Sequence, residues 1–176
     1  MRHREAPRGI TVVEVIIVVI IVGLIAALAI PKFSRGATAQ NDAQSLRNQV
    51  SVLRNAIEMY YYDHAAYPAG KGTGRAAAGS FAAFKQQLTM FSDRDGNVSE
   101  ERSARFAFGP YLRRGIPGCA CGGAEVRNEV VVIEGTARPA YQADQPNAGW
   151  VYNMHTGEIC ANSNGVDAQG TAMDRY

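Results

Sequence analysis

Hydrophobic and polar positions alternate along this chain in three distinct ways. From Ile10 to Ile30 the sequence reads I-T-V-V-E-V-I-I-V-V-I-I-V-G-L-I-A-A-L-A-I, with Glu14 as its only charge. A run of ~20 apolar residues is long enough to cross the hydrocarbon core of a bilayer as a helix. From Ala43 onward, apolar residues recur at Leu46, Val50, Leu53, Ile57 and Tyr60 or Tyr61. Steps of three and four place them on one face of an amphipathic helix, with Gln40, Asn41, Asp42, Arg47, Asn48, Arg54 and Glu58 on the other. Beyond Pro68 the pattern shortens to loops and β-branched runs.

The first two regimes read as one helix from residue 10 to about 62, on the order of 75–80 Å long. Pro31 removes a backbone donor and crowds the preceding turn, so a kink is expected there. Lys32 and Arg35 mark an exit into water. Pro68 biases Tyr67 away from helix, and Tyr60, Tyr61 and Tyr62 are expected to be core and boundary residues. Ser80 should cap a short helix with Phe81, Phe84 and Leu88 on one face. Val130–Ile133 is a β-branched run, and Trp150-Val151-Tyr152 and Glu158-Ile159-Cys160 flank a hairpin loop. Three antiparallel strands over one face of a long helix predict an α+β fold. The tail from Asn162 is polar and is expected to be loose.

Charge then changes the picture at the start. Residues 1–9, M-R-H-R-E-A-P-R-G, carry three arginines against Glu5. The positive-inside rule keeps this end in the cytoplasm and sends the rest across. Glu14 lies in the apolar run, where a carboxylate costs a few kcal/mol and generally has a partner. Cleavage after Gly9 would create an amine on Ile10, four residues before Glu14, and so supply that partner.

Gly9-Ile10-Thr11-Val12-Val13-Glu14 and the apolar run after it resemble the class III signal of type IV pilins and type II secretion pseudopilins. The resemblance implies a leader of residues 1–9, prepilin peptidase cleavage between Gly9 and Ile10, and N-methylation of Ile10. It also implies a role in subunit assembly for Glu14, the fifth mature residue. Gly23 and Ile30-Pro31 match the family's glycine and Ile-Pro. Ile10 replaces the usual phenylalanine, and Val12-Val13-Glu14-Val15 replaces Leu-Ile-Glu-Leu. A weaker resemblance in Tyr60–Pro68 to the end of the long helix of major pseudopilins favours the secretion branch.

The implied architecture is pilin-like: a transmembrane segment 10–30, an amphipathic continuation 31–62, and a periplasmic globular domain 63–176 with a small antiparallel sheet. The implied partners are other copies in a filament, minor pseudopilins, an inner-membrane assembly platform and the prepilin peptidase. A type IV pilin for adhesion, motility or DNA uptake is the alternative. A second is a soluble secreted module released at Ala27-Leu28-Ala29, an A-x-A-like signal peptidase site. The apolar run exceeds the usual 7–15 residues of such a signal and contains Glu14.

Composition excludes more than it adds. The 176 residues carry a net charge of only +2, with no basic cluster beyond the leader, so no nucleic-acid partner is expected. The three histidines, at positions 3, 64 and 155, stand at no catalytic spacing, so no enzyme and no cofactor is expected. Lys71-Gly72-Thr73-Gly74 lacks the Walker spacing. Asp93-Arg94-Asp95-Gly96-Asn97 fails the EF-hand register and reads as an Asp-Gly turn. The three cysteines suggest one disulfide and one free thiol in an oxidising compartment. Cys160 is expected to bond to Cys119 or Cys121, closing a loop of about 40 residues. A zinc site of Cys119, Cys121, Cys160 and His155 is disfavoured by the Cys-x-Cys step.

Overall fold

The computed structural model describes residues 11–119 and 126–176, without the side chains of residues 24–41. Gly9, Ile10 and Cys121 lie outside the described residues. The chain divides into two units, Met1–Ala39 and Gln40–Tyr176. It has an α+β composition. The elements are α1 (Val12–His64), α2 (Phe81–Thr89), β1 (Phe91–Ser92), β2 (Val98–Ser99), β3 (Glu129–Ile133), β4 (Ala148–Asn153), β5 (Ile159–Ala161) and a 3-10 turn, Met173–Arg175. The helix assignment of α1 includes Pro31.

In the second unit, Ala43, Leu46, Val50, Leu53, Ile57 and Tyr60 of α1 are all buried, as their spacing predicts. All but Ala43 pack with Phe84 and Leu88 of α2 and with Trp150, Tyr152, Ile159 and Ala161 of the sheet. Of the tyrosine triplet only Tyr60 is buried; Tyr62 is exposed. The helix stops because Ala65 takes a left-handed conformation at φ 51° while its N–H closes the last turn on the Tyr61 carbonyl at 2.8 Å. Ser80 caps α2, its hydroxyl accepting from the Ala83 N–H at 3.1 Å.

Gln87, fully buried on α2, joins three segments. Its Oε1 accepts from the Ala69 N–H at 2.6 Å, and its Nε2 donates to the carbonyls of Lys71 and Gly96 at 3.2 and 3.1 Å. β1 and β2 form an antiparallel hairpin around the Asp-Gly turn. Asp93 Oδ1 accepts from the N–H groups of Asp95 and Asn97, and Oδ2 accepts from Arg105 Nε and Nη2 at 3.1 and 3.0 Å. Gly96 has φ +88°, and a Cβ there would meet Tyr60 Oη at 2.9 Å, so both backbone and packing demand glycine.

The main sheet has the order β3-β4-β5. It is mixed, which corrects the expectation of an antiparallel sheet. β4 and β5 pair antiparallel, whereas β3 runs parallel to β4 with an irregularity between Glu129 and Val130. Parallel neighbours need a crossover of a dozen or more residues, and residues 134–147 supply it without a helix. Two buried asparagines hold that crossover. Asn153 Nδ2 donates to the carbonyls of Gly135 and Ala137, and Asn162 Nδ2 donates to those of Gln145 and Ala148.

The expected cysteine pairing does not form. Cys160 is a free, buried thiol, and Cys119 is disulfide-bonded. Strand alternation explains why. Ile159 and Ala161 face the core with Cys119, so Cys160 between them faces away, beside Val151. The Cys119 sulfur is taken up in a disulfide that does not include Cys160.

The tail is also not loose. Asn162, Ser163 and Asp167 are buried. Asp167 Oδ1 accepts from the N–H groups of Gln169 and Thr171 at 2.9 and 2.8 Å, and Oδ2 accepts from Arg47 of α1 and from the Tyr176 hydroxyl. Asp167 thus ties the segment to itself and to the helix.

Candidate functional site

A continuous exposed apolar surface begins at the start of α1. Thr11 opens the helix: its Oγ1 accepts from the Glu14 N–H at 3.3 Å and its carbonyl from the Val15 N–H at 3.2 Å. A threonine here satisfies donors that the first turn leaves open. The next residues are all apolar except Glu14, and the valines and isoleucines of positions 12, 13 and 15–22 are each between 50% and 77% exposed. Val and Ile are a poor choice for an isolated helix in water. So continuous a surface is stable only when lipid or other protein covers it.

Glu14 sits on this surface with Val15, Val18 and Val19 around it. Among the described residues it has no ion-pair partner. Covering the surface would therefore bury a lone carboxylate unless the covering element brought a positive charge. Among the described residues, no helix is long and apolar enough to cross a membrane. The sequence run continues through Leu24–Ile30, whose side chains lie outside the description. The cleavage residues Gly9 and Ile10 lie outside it too.

The remaining residues singled out from sequence are structural. His64 is buried at the end of α1, its ring stacked on Tyr60 with centroids 4.0 Å apart. Its Nδ1 lies 3.0 Å from the Tyr60 carbonyl and its Nε2 3.0 Å from Ser92 Oγ. The carbonyl can only accept, so Nδ1 carries the proton and Nε2 accepts from the serine. Burial holds the imidazole below its ordinary pKa, against smaller opposing effects of the Tyr60 carbonyl and Asp63. His155 Nδ1 accepts from the Gly135 N–H at 2.9 Å. Among the described residues, no group of three or more His, Cys, Asp or Glu is placed to hold a metal ion.

Sequence reasoning missed two polar centres, Asp93 with Arg105 and Asp167 with Arg47. Both are acidic residues followed by a turn, a signal that a sequence pattern shares with any exposed loop. It also missed that Val52 and Met59 lie off the buried stripe of α1 and are exposed.

Comparison with known proteins adds what the geometry alone does not. Type II secretion system core protein G of Escherichia coli (strain K12) is 34% identical to this chain over 68 residues, which is 39% of this chain and 46% of that protein. The protein of the same name from Aeromonas hydrophila is 35% identical over 66 residues, 38% of this chain and 46% of its own length. That of Vibrio cholerae serotype O1 is 32% identical over 68 residues, 39% and 46%. The chain thus spans about half the length of the curated relatives it matches. No family model and no solved structure matches it. This chain is similar in sequence to the type II secretion system core protein G pseudopilins.

Proposed function

We propose that this chain is a structural subunit, a pseudopilin, of a type II secretion filament at the inner membrane. The observation that carries the reading is the exposed apolar helix surface from Val12 to Val22, interrupted only by Glu14. In this reading residues 10–30 span the membrane, residues 1–9 are removed by prepilin peptidase, and the globular part is periplasmic. Neighbouring copies bury the apolar surfaces against one another. Glu14 pairs with the methylated amine of Ile10 on the next subunit. Two buried opposite charges reward one stagger, because any other stagger leaves both unpaired. Minor pseudopilins, an assembly platform and the peptidase are the further partners. The names of the relatives favour secretion over adhesion or motility.

The reading needs no catalytic residue in this chain. Its work is mechanical: helices that pack in register and domains that stay folded outside them. Glu14→Leu tests it. The variant should insert and be processed as the wild type is, yet yield little pelletable filament when expressed with the secretion apparatus. Filaments from that variant in wild-type amount would contradict the pairing.

A further inference from the structure

We infer that Asn164 is a deamidation site that the fold keeps latent by holding the Gly165 N–H on the Ser163 hydroxyl, whether or not the chain assembles. Asn164-Gly165 is the one Asn-Gly pair in the sequence. Glycine has no side chain to hinder its own backbone nitrogen, and that nitrogen can close on the carboxamide carbon of the asparagine before it. The chemistry needs water alone. A bond forms between Gly165 N and Asn164 Cγ, the bond from Cγ to the side-chain nitrogen breaks, and ammonia leaves with the proton given up by Gly165 N. Water then opens the five-membered imide at either carbonyl, giving aspartate or isoaspartate.

The structure leaves the electrophile free and restrains the nucleophile. Asn153 and Asn162 are buried, and the side-chain amide of each donates to two carbonyls. Asn164 is exposed, and its side chain has no hydrogen bond among the described residues. Gly165, by contrast, is tied at both ends. Its N–H donates to Ser163 Oγ at 3.1 Å, and its carbonyl accepts from the Met173 N–H at 2.9 Å. Ser163 is buried and its hydroxyl donates to Met173 Sδ at 3.8 Å, which fixes the orientation in which it accepts. A Cβ on Gly165 would lie 3.2 Å from Ser163 Oγ and 3.4 Å from Met173 Sδ, so the glycine has little room to turn. Its nitrogen reaches the carboxamide only by leaving Ser163, and the reaction therefore waits for local opening. The product then prevents reclosure. Isoaspartate adds a methylene to the main chain just before the bridge of Val166 with Ala172 and the Asp167 turn that binds Arg47 and Tyr176. Opening at Gly165 thus becomes an irreversible release of this segment from α1.

The test ages purified full-length chain at mildly alkaline pH, folded and in guanidinium. Isoaspartate is read by methyl transfer from S-adenosylmethionine with an isoaspartate methyltransferase, and peptide mass mapping locates it. In guanidinium Asn164 should be modified before any other asparagine. In the folded chain its reaction should be slowed by a factor of the same order as the slowing of Gly165 amide hydrogen exchange, because both need the same opening. Ser163→Ala should speed the folded-state reaction about fivefold and leave the rate in guanidinium unchanged. Ser163→Thr, which keeps the hydroxyl, should stay near the wild-type rate. Ser163 is buried, so melting curves check both variants, and the comparison of the two wild-type rates stands even where a variant folds poorly. Modification of another asparagine ahead of Asn164 would overturn the assignment. Deamidation of the folded wild type as fast as in guanidinium would overturn the latch.

Discussion

Arg47 on α1 places Nη2 2.8 Å from Asp167 Oδ2, joining the helix to a turn far along the sequence. The same guanidinium lies 4.5 Å over the Tyr176 ring, and the Tyr176 hydroxyl donates to the same carboxylate oxygen. Arg54, two turns on, donates to the carbonyls of Ile159 and Tyr176. Two arginines on one helix face thus hold down the segment after β5. Asp167→Ala removes the acceptor for Gln169, Thr171, Tyr176 and Arg47 at once. It should destabilise the domain by about 2 kcal/mol, measured by urea unfolding. Arg47→Ala, whose side chain is about half exposed, should cost no more than about 1 kcal/mol.

The same carboxylate makes stability depend on acid. The Tyr176 hydroxyl hydrogen bond, with the Thr171 and Gln169 N–H groups and Arg47, holds Asp167 below the ordinary carboxylate range against its burial. Burial of Asp93 acts to raise its pKa, but hydrogen bonds from Asn97, Arg105 and Asp95 outweigh this and lower it. A carboxyl depressed in the folded state contributes stability that is full above its unfolded pKa of about 3.9. That contribution is lost as pH falls through the folded value. Melting temperature should therefore drop steeply below about pH 4, and Asp167→Asn should flatten that drop.

His64 adds a separate acid dependence at higher pH. Its imidazole is depressed by burial, so the unfolded chain takes up a proton first as pH falls below about 6.5. Stability should decline from there until the folded-state pKa is passed. His64→Gln should remove the decline in this window while leaving the loss near pH 4 (about the carboxylate range) in place. An NMR titration placing His64 above about 6.5 would contradict it.

Gln87→Leu tests the buried amide on α2. Three hydrogen bonds link it to Ala69, Lys71 and Gly96. Leucine would strand a buried N–H and a buried carbonyl, for a loss of about 3 kcal/mol. Gln87→Glu should be as damaging, since Nε2 would no longer donate. Hydrogen exchange of the Ala69 amide is the local readout.

How much of this was written in the chain depends on the range over which each feature is decided. The buried stripe of α1 and the Ser80 cap are set within four residues, and both stand where the spacing put them. The direction of β3 relative to β4 depends on residues 134–147, a crossover whose side chains show no periodic pattern. Cys160 faced the wrong way for its expected bond because the face of a strand residue is known only once its neighbours are paired. Burial pushes its thiol pKa up to about 12. Ellman's reagent should leave it unmodified in native protein and titrate it in guanidinium. Polar composition hid the order of the tail, since Asp167 and Asn162 are satisfied by distant groups. For the exposed apolar surface of α1 the sequence said most: the apolar run and Glu14 are visible at once.

The central claim is that this chain is a processed filament subunit, and its N-terminus decides the matter most directly. Intact mass and N-terminal sequencing of protein recovered from membranes should show a start at N-methylated Ile10. A start at Ile30 would mean release as a soluble domain, and the account built on Glu14 and the exposed helix would be contradicted.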